Sequence, residues 1–464
     1  MPIDSARPAV AELRLSAFKN HRCVTLPMGP LTLLAGPSGS GKSSALQAYE
    51  ILARLGAGER LGQAVEAVPG GATACVPAGA RPDGQGRRGF RIGCTVDGPA
   101  GPVCLDLAIQ AEPELRIVGE RLTGGGETLL TTALTDPARH AVQAAWYTAG
   151  ATPVTRAPLP DDRLGTALLP LRVAGKTAGQ RMVLAAAEQV VVALRSVFRC
   201  DPRPESMRGA GSVAEVPTVP RQRSGTEAAA GPEVPQGGRG RAWADAVSCR
   251  GGEGRLRPSC DNLPAVLERT SRECTQRHAV LVAAVRAACA GPVDGLHAVP
   301  RQSGGERAGE AAAVAADGTA GPARGGAARS GEDTTGAPGH GRALVPAPCA
   351  SPGLQAVLDR GTWGMMPVEQ LGDGELRYLG LALVLLTGPG VLDMDPVGEI
   401  PSAFQQMTVV ADGMDRCMDD RQAGELVALA VRMARRGHVR LLGTVRNPAV
   451  AEGQPGVRVL HLGA

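Results

Sequence analysis

The stretch Gly36-Pro37-Ser38-Gly39-Ser40-Gly41-Lys42-Ser43 fits the pattern GxxxxGK[ST] and constrains the fold more than any other part of the chain. It follows the apolar run "LTLLA" and leads into "SSALQAYEILARLG", whose apolar residues recur at helical spacing. A glycine loop between a strand and a helix lets successive backbone N–H groups converge on one point, and the helix aims its positive end there. Phosphate oxygens suit such a point. Lys42 is one of three lysines among 49 basic residues. GC-rich codons account for the arginine elsewhere, but a planar guanidinium fits poorly inside so tight a loop. The retained lysine therefore reads as a point charge for the β- and γ-phosphates. The Ser43 hydroxyl stands where a Mg²⁺ ligand belongs, and Ser44 is counted with the loop. Gly36–Ser44 is thus expected to bind a nucleotide.

Composition sets the surroundings of this loop. Aromatic residues are 2% of the 464, so the core must be built from Leu, Val, Ala and Met. The net charge of +4 gives no strong argument for nucleic acid, although local arginine clusters could hold phosphate. The 11 cysteines form no CxxC pair and have no histidine at zinc-finger spacing, so a structural metal site is not expected. The start of the chain lacks the pattern of a secretory leader, and no apolar run reaches membrane-spanning length. Free thiols in a reducing cytoplasm are the expectation.

Two stretches, 201–253 and 300–353, are rich in Gly, Ala, Pro and Arg and poor in large apolar residues. They offer too little burial to offset ordering entropy and are expected as disordered linkers. Between them, 254–299 reads as a helical subdomain, with Leu263, Val266, Leu267, Leu281 and Val285 at helical spacing. Residues 10–200 form an N-terminal lobe in which "GFRIGCTVDG", "PVCLDLAIQA", "ELRIVGERL" and "ETLLTTAL" alternate between Gly/Pro turns, which predicts an antiparallel sheet. Residues 354–464 alternate helix and strand, which predicts an α/β lobe around a mostly parallel sheet.

The C-terminal lobe carries a resemblance. "QLGDGELRYLGLALVLL" resembles the signature motif of ABC-type ATPases in the form found in RecF- and SMC-type proteins, with Leu371, Gly374 and Glu375 matching and Asp373 fitting the variant. "MTVVAD" resembles a Walker B strand ending in Asp412, and Asp419 falls where the family has its D-loop aspartate. Asp395 in "GVLDMDP" is the rival Walker B residue, with Asp412 preferred because a helix and then a strand follow it. Near the N-terminus, Phe18 and Lys19 match a strand-associated element that the family places before the phosphate loop.

The chain is thus similar to the ABC-type ATPase head of the RecF/SMC/overcoming-lysogenisation-defect class, often grouped with AAA-like ATP-binding proteins. This resemblance implies an α/β P-loop NTPase fold with an antiparallel subdomain. It also implies ATP and Mg²⁺ as cofactors, with Ser43 and Asp412 at the metal. The segment Leu371–Gly372–Asp373–Gly374–Glu375 would complete the site of a second copy in an ATP-dependent homodimer.

Three positions depart from the family pattern. Gly413 stands where the catalytic glutamate would be, Val445 where the switch histidine would be, and Gly372 where the signature serine would be. Loss of a general base alone typically forfeits about 10²–10⁴ in rate. Asp415 is the candidate substitute base, and Arg377 the candidate side chain for contact with the partner's phosphate. The expected function is slow Mg²⁺-dependent ATP hydrolysis with head dimerisation acting on DNA or a partner protein. The alternative is a nucleotide-binding regulator without hydrolysis.

Overall fold

The computed structural model describes residues 7–149, 154–209, 254–301, 353–394 and 406–463. Most of the two expected linkers and the rival Asp395 lie outside the described residues.

β1 (Ala9–Phe18) and β2 (His21–Pro27) form a hairpin with Phe18 opposite His21. β3 (Leu31–Ala35) is buried along its whole length and runs through the glycine loop into α1 (Lys42–Gly56). Short helices α2 (Leu61–Glu66) and α3 (Gly71–Cys75) precede β4 (Arg88–Asp97), β5 (Val103–Glu112), β6 (Arg116–Gly124) and β7 (Glu127–Ala133). These four strands pair antiparallel, as the alternation predicts. β8 (Ala141–Tyr147) and β9 (Val154–Pro160) extend the sheet to eight strands in the order β2-β1-β4-β5-β6-β7-β8-β9. The turn helix α4 (Gly165–Leu168) leads to α5 (Ala178–Arg195), which starts at Thr177, whose hydroxyl accepts the Gln180 N–H at 3.1 Å. α5 packs on this sheet and against α1.

β10 (Val197–Arg199) and the short α6 (Pro204–Met207) follow. The first part of the expected linker, 201–209, is therefore packed, with Pro204 and Met207 buried. α7 (Leu263–Glu273) and α8 (Thr275–Ala288) are the expected helical pair. They do not stand apart as a subdomain. Their apolar faces share one core with α9 (Asp373–Leu386) and α10 (Asp420–Arg435), and β11 (Gly295–Pro300) pairs with β12 (Leu354–Asp359), which pairs with β13 (Met365–Pro367).

β14 (Met407–Ala411), β15 (Val439–Thr444) and β16 (Arg458–His461) join β10 and β3 in a parallel sheet of order β10-β14-β15-β3-β16. Helices cover both faces, so its central strands must be apolar throughout rather than alternating. The side-chain period of two then divides each strand between two cores. Leu31, Leu33 and Ala35 of β3 join Met407, Val409 and Ala411 of β14 in one core, while Leu34, Val410 and Leu442 enter the other. The N-terminal phosphate loop and the C-terminal Asp412 thereby leave the same edge of one sheet.

The stretch 302–352 interrupts an antiparallel pair. β11 and β12 run in register to Pro300 opposite Leu354, and the Arg301 N–H donates to the Gly353 carbonyl at 2.6 Å. The chain leaves and returns at adjacent points. Loop-closure cost changes by only ~0.6 kcal/mol for each doubling of loop length. Replacing 302–352 by Asn-Gly, which suits a two-residue hairpin, should therefore leave the thermal midpoint unchanged or raised. A drop of more than about 5 °C in a thermal melt would show that the excised stretch supplies native contacts.

Candidate functional site

The ends of β3, β14 and β15 open into a cavity of about 1060 Å³. The phosphate loop contributes Gly36, Pro37, Ser38, Gly39, Gly41, Lys42, Ser43 and Ser44 to its lining, and the C-terminal lobe contributes Asp412, Gly413, Arg416, Thr444 and Arg446. Ser40 does not line it; its hydroxyl is buried without a hydrogen-bond partner among the described residues. The loop is held from behind by the β1–β2 turn. Asn20 Nδ2 donates to the Gly39 carbonyl at 3.1 Å, and His21 Nε2 lies 3.0 Å from the Gly41 carbonyl oxygen. Gly41 has φ of 95°, and a Cβ there would come within 2.5 Å of His21 Nε2. Both the left-handed backbone and the close histidine require glycine at this position.

Lys42 Nζ donates to the carbonyls of Gly36 at 2.7 Å and Pro37 at 2.9 Å, which keeps the ammonium at the loop. Lys19 lines the same cavity and donates to Gln47 Oε1 at 2.6 Å. Burial lowers its pKa below the ordinary lysine value. Two of the three lysines thus meet at one site. The scarcity of lysine that marks Lys42 in the sequence would have marked Lys19 by the same logic.

Asp412 is the single carboxylate of the lining. Thr444, at the end of β15, donates from Oγ1 to Asp412 Oδ1 at 2.6 Å and accepts the Gly413 N–H at 2.6 Å. One carboxylate oxygen is thereby committed and the aspartate oriented. Ser43 and Asp412 supply hard oxygen donors to one cavity, and no group of three or more His, Cys, Asp or Glu able to hold a metal occurs among the described residues. That donor set fits Mg²⁺, which keeps waters and phosphate oxygens as most of its ligands, and does not resemble a protein cage for another metal.

Several sequence expectations change here. Asp415, the expected substitute base, is buried and does not line the cavity. Its Oδ2 accepts the N–H groups of Arg446 at 2.7 Å and Asn447 at 3.0 Å. Two backbone donors turn this carboxylate away from the phosphate loop and make it a strut between the segments that follow β14 and β15. Glu50 of α1, which feels the Asp412 charge, faces Arg199 at 3.3 Å and is likewise outside the lining. Gly413 has φ of 59°, a conformation that costs an L-residue roughly 1–2 kcal/mol, so the turn itself disfavours a glutamate. Val445, placed by the sequence at the switch position, is buried, and its N–H donates to the Leu34 carbonyl at 3.0 Å. Among the described residues, the one that lines the cavity beyond β15 is Arg446.

The segment Leu371–Glu375 forms the start of α9 and does not line the cavity. Gly372 caps the helix, and its N–H donates to Glu375 Oε2 at 3.2 Å. Arg208 holds this segment from outside, donating to the Leu371 carbonyl at 2.8 Å and pairing with Asp373 Oδ1 at 2.7 Å. A Cβ at Gly374 would lie 2.2 Å from the Cys417 carbonyl oxygen, so glycine permits α9 to touch the turn after β14. Asp419 is the N-cap of α10, its Oδ1 accepting the Gln422 N–H at 2.7 Å. Arg377, expected to face a partner's phosphate, is buried instead. It donates from Nη1 to the Pro202 carbonyl at 2.7 Å and from Nη2 to the Gly413 carbonyl at 3.1 Å. One turn into an apolar helix, its guanidinium is met by these backbone carbonyls and by the Asp201 carboxylate at 3.9 Å, and it ties α9 to the turn that carries Asp412.

Arg377→Met should lower the thermal midpoint by roughly 5–10 °C, since hydrogen bonds to a buried charge are worth about 1.5–3 kcal/mol and two carbonyls lose their donor. Arg377→Lys should recover less than half, because an ammonium lacks the two-pronged fork. A shift under about 1 °C for the methionine variant would show that these bonds contribute nothing to stability.

No family model and no curated protein matches the chain. Among solved structures it is similar to an Smc head bound to the C-terminal winged-helix domain of ScpA, at 11% identity and a TM-score of 0.42, covering 95% of this chain and 91% of that one. It is similar to the SMC head domain from Thermotoga maritima at 12% identity and a TM-score of 0.36, covering 96% and 92%. A third is the Smc head domain with an extended coiled coil, bound to the C-terminal domain of ScpA, derived from Pyrococcus furiosus, at 8% identity and a TM-score of 0.38, covering 96% and 91%. These three structural neighbours are head domains of SMC proteins.

Proposed function

We propose that the chain is an ATP-binding head that holds Mg²⁺ and ATP between its two lobes and hydrolyses ATP slowly. The carrying observation is that the glycine loop with Lys42 and the strand end with Asp412 line one cavity although they lie at opposite ends of the sequence. In this reading the loop N–H groups and the N-terminus of α1 take the phosphate chain, and Lys42 bridges its outer phosphates. Ser43 and Asp412 hold the metal, which when bound neutralises charge on the β- and γ-oxygens. Thr444 keeps Asp412 aimed at it.

Slow turnover is supported by the absence of a second carboxylate from the lining. With glycine at 413 and Asp415 bonded to backbone amides, the described residues bring to the cavity no carboxylate besides Asp412, which this reading assigns to the metal, to act as a base for attacking water. This observation also favours the second reading, a regulator that binds ATP and does not hydrolyse it. Self-association is proposed because Leu371–Glu375 cannot serve its own cavity, while Gly372 and Asp373 are exposed. Whether engaged heads act on DNA or on another protein belongs to this proposal as well.

ATP binding, measured by calorimetry in Mg²⁺, should be abolished by Lys42→Ala. Phosphate release should stay well below the median enzyme turnover of about 10 s⁻¹. Release at ordinary rates would require a base from outside the cavity as described; none at all selects the regulator.

Sedimentation velocity should show a dimer with ATP and Mg²⁺ that is absent with ADP and in Lys42→Ala. A monomer at tens of micromolar, with ATP demonstrably bound, would remove the role proposed for Leu371–Glu375.

A further inference from the structure

Four cationic side chains line the cavity, and they divide into two pairs. Lys42 and Lys19 belong to the phosphate loop and its brace, each with protein partners. Arg416 and Arg446 stand on the opposite rim, in the turns that follow Asp412 and Thr444. Both are exposed, and neither guanidinium has a hydrogen-bond or ion-pair partner among the described residues. An exposed arginine without a partner is ordinary by itself. Here the backbone beneath each one is fixed, which is less usual.

The Arg446 N–H is held by the buried Asp415 carboxylate at 2.7 Å, and the next residue is held by the same oxygen. The Arg416 N–H donates to the Gly413 carbonyl at 3.0 Å, closing a tight turn after Asp412. A Cβ at Gly413 would make only ordinary contact with the Arg416 Cβ at 3.6 Å, so glycine is favoured here by its φ of 59°, which shapes the turn. A buried carboxylate fixes the backbone of one cavity-lining arginine and a tight turn that of the other, so both side chains start from rigid points on the C-terminal side of the cavity.

Resting on the nucleotide-binding reading, we propose that Arg446 and Arg416 form a clamp for the terminal phosphate and make the cavity select nucleoside triphosphates over diphosphates. In that reading Asp412 would hold the metal, and the two arginines follow Asp412 and Thr444 in the chain rather than belonging to the glycine loop. A phosphate bridged by Lys42 and extended toward Asp412 therefore meets Arg446 and Arg416 with its outermost oxygens. The guanidinium fork matches paired phosphate oxygens and stays charged at every relevant pH. Val445 is buried and Gly413 has no side chain, so among the described residues Thr444, Arg416 and Arg446 are the polar side chains that the ends of β14 and β15 bring to the cavity besides Asp412. Among the described residues this side of the lining carries two cations and, besides the metal-assigned Asp412, no carboxylate.

The test is equilibrium binding of ATPγS and of ADP, each with Mg²⁺, to the full chain and to Arg446→Ala, Arg416→Ala, the double alanine variant, Arg446→Lys and Lys42→Ala. The double variant should lose about 10–100-fold in ATPγS affinity, the range expected when hydrogen bonds to a charged group are removed, while ADP affinity changes less than about twofold. Arg446→Lys should recover part of the loss through charge without the fork. Both arginines are exposed, so the melting temperature of each variant should match wild type and separates a binding effect from misfolding. Equal losses for ATPγS and ADP, or no loss while Lys42→Ala abolishes both, would overturn the clamp and leave nucleotide binding standing. A wild-type chain that binds neither ligand would overturn both.

Discussion

The pairing of β3 with β15 is the interaction on which the site depends. Leu31 to Leu34 lie beside Leu441 to Thr444 in parallel register, joining segments from the two ends of the chain. Parallel strands cannot be neighbours through a short turn, so everything between them must be arranged as a crossover. The antiparallel sheet and the helical layers fill that role. Arg440 reinforces the seam: its Nη2 donates to the carbonyls of Val10 at 3.0 Å and Gly29 at 3.1 Å, which compensates for a burial that lowers its pKa. Without this register the glycine loop and Asp412 would have no reason to meet.

Around the strand ends the structure uses polar groups as struts. Thr444 fixes Asp412, Asp415 fixes the chain after β15, and Arg377 fixes the turn between them. Each spans elements that are distant in sequence, and each satisfies a group whose burial would otherwise cost several kcal/mol. Rigidity at these points has a chemical consequence. A carboxylate held by two backbone amides cannot also serve as a base facing the cavity, so the same bonds that order the site leave it basic in charge and poor in proton acceptors.

Local signals in the sequence suffice where a segment's own period or turn chemistry decides its structure. The strands around β4 to β7 alternate and are bounded by Gly and Pro; α10 opens on Asp419 and carries apolar residues on one face. β8 and β9 escaped notice because "AVQAAWY" and "VTRAPLP" are rich in Ala and Pro, and their pairing is supplied by β7 and by each other. The pair α7 and α8 was visible as helices, but nothing in their spacing tells which core receives them. Arg208 lay hidden in a stretch whose composition reads as linker, although its guanidinium holds both Leu371 and Asp373.

The sequence by itself determined the phosphate loop, since glycine at the positive-φ positions, lysine and serine at fixed spacing act through backbone geometry within a few residues. It also determined the order of strands and helices around that loop, through apolar periodicity. Tertiary structure alone decided which side chains share the cavity. Whether Val445 or Arg446 reaches it depends on where β15 ends against β3, a one-residue matter that reverses which way a side chain points. Whether Asp415 or Arg377 faces the cavity depends on which backbone groups lie nearest once the lobes have packed. A charged residue in a sequence window states what it could bind; the bonds that claim it are made by neighbours outside that window, from 31 to 175 residues away for Asp415 and Arg377.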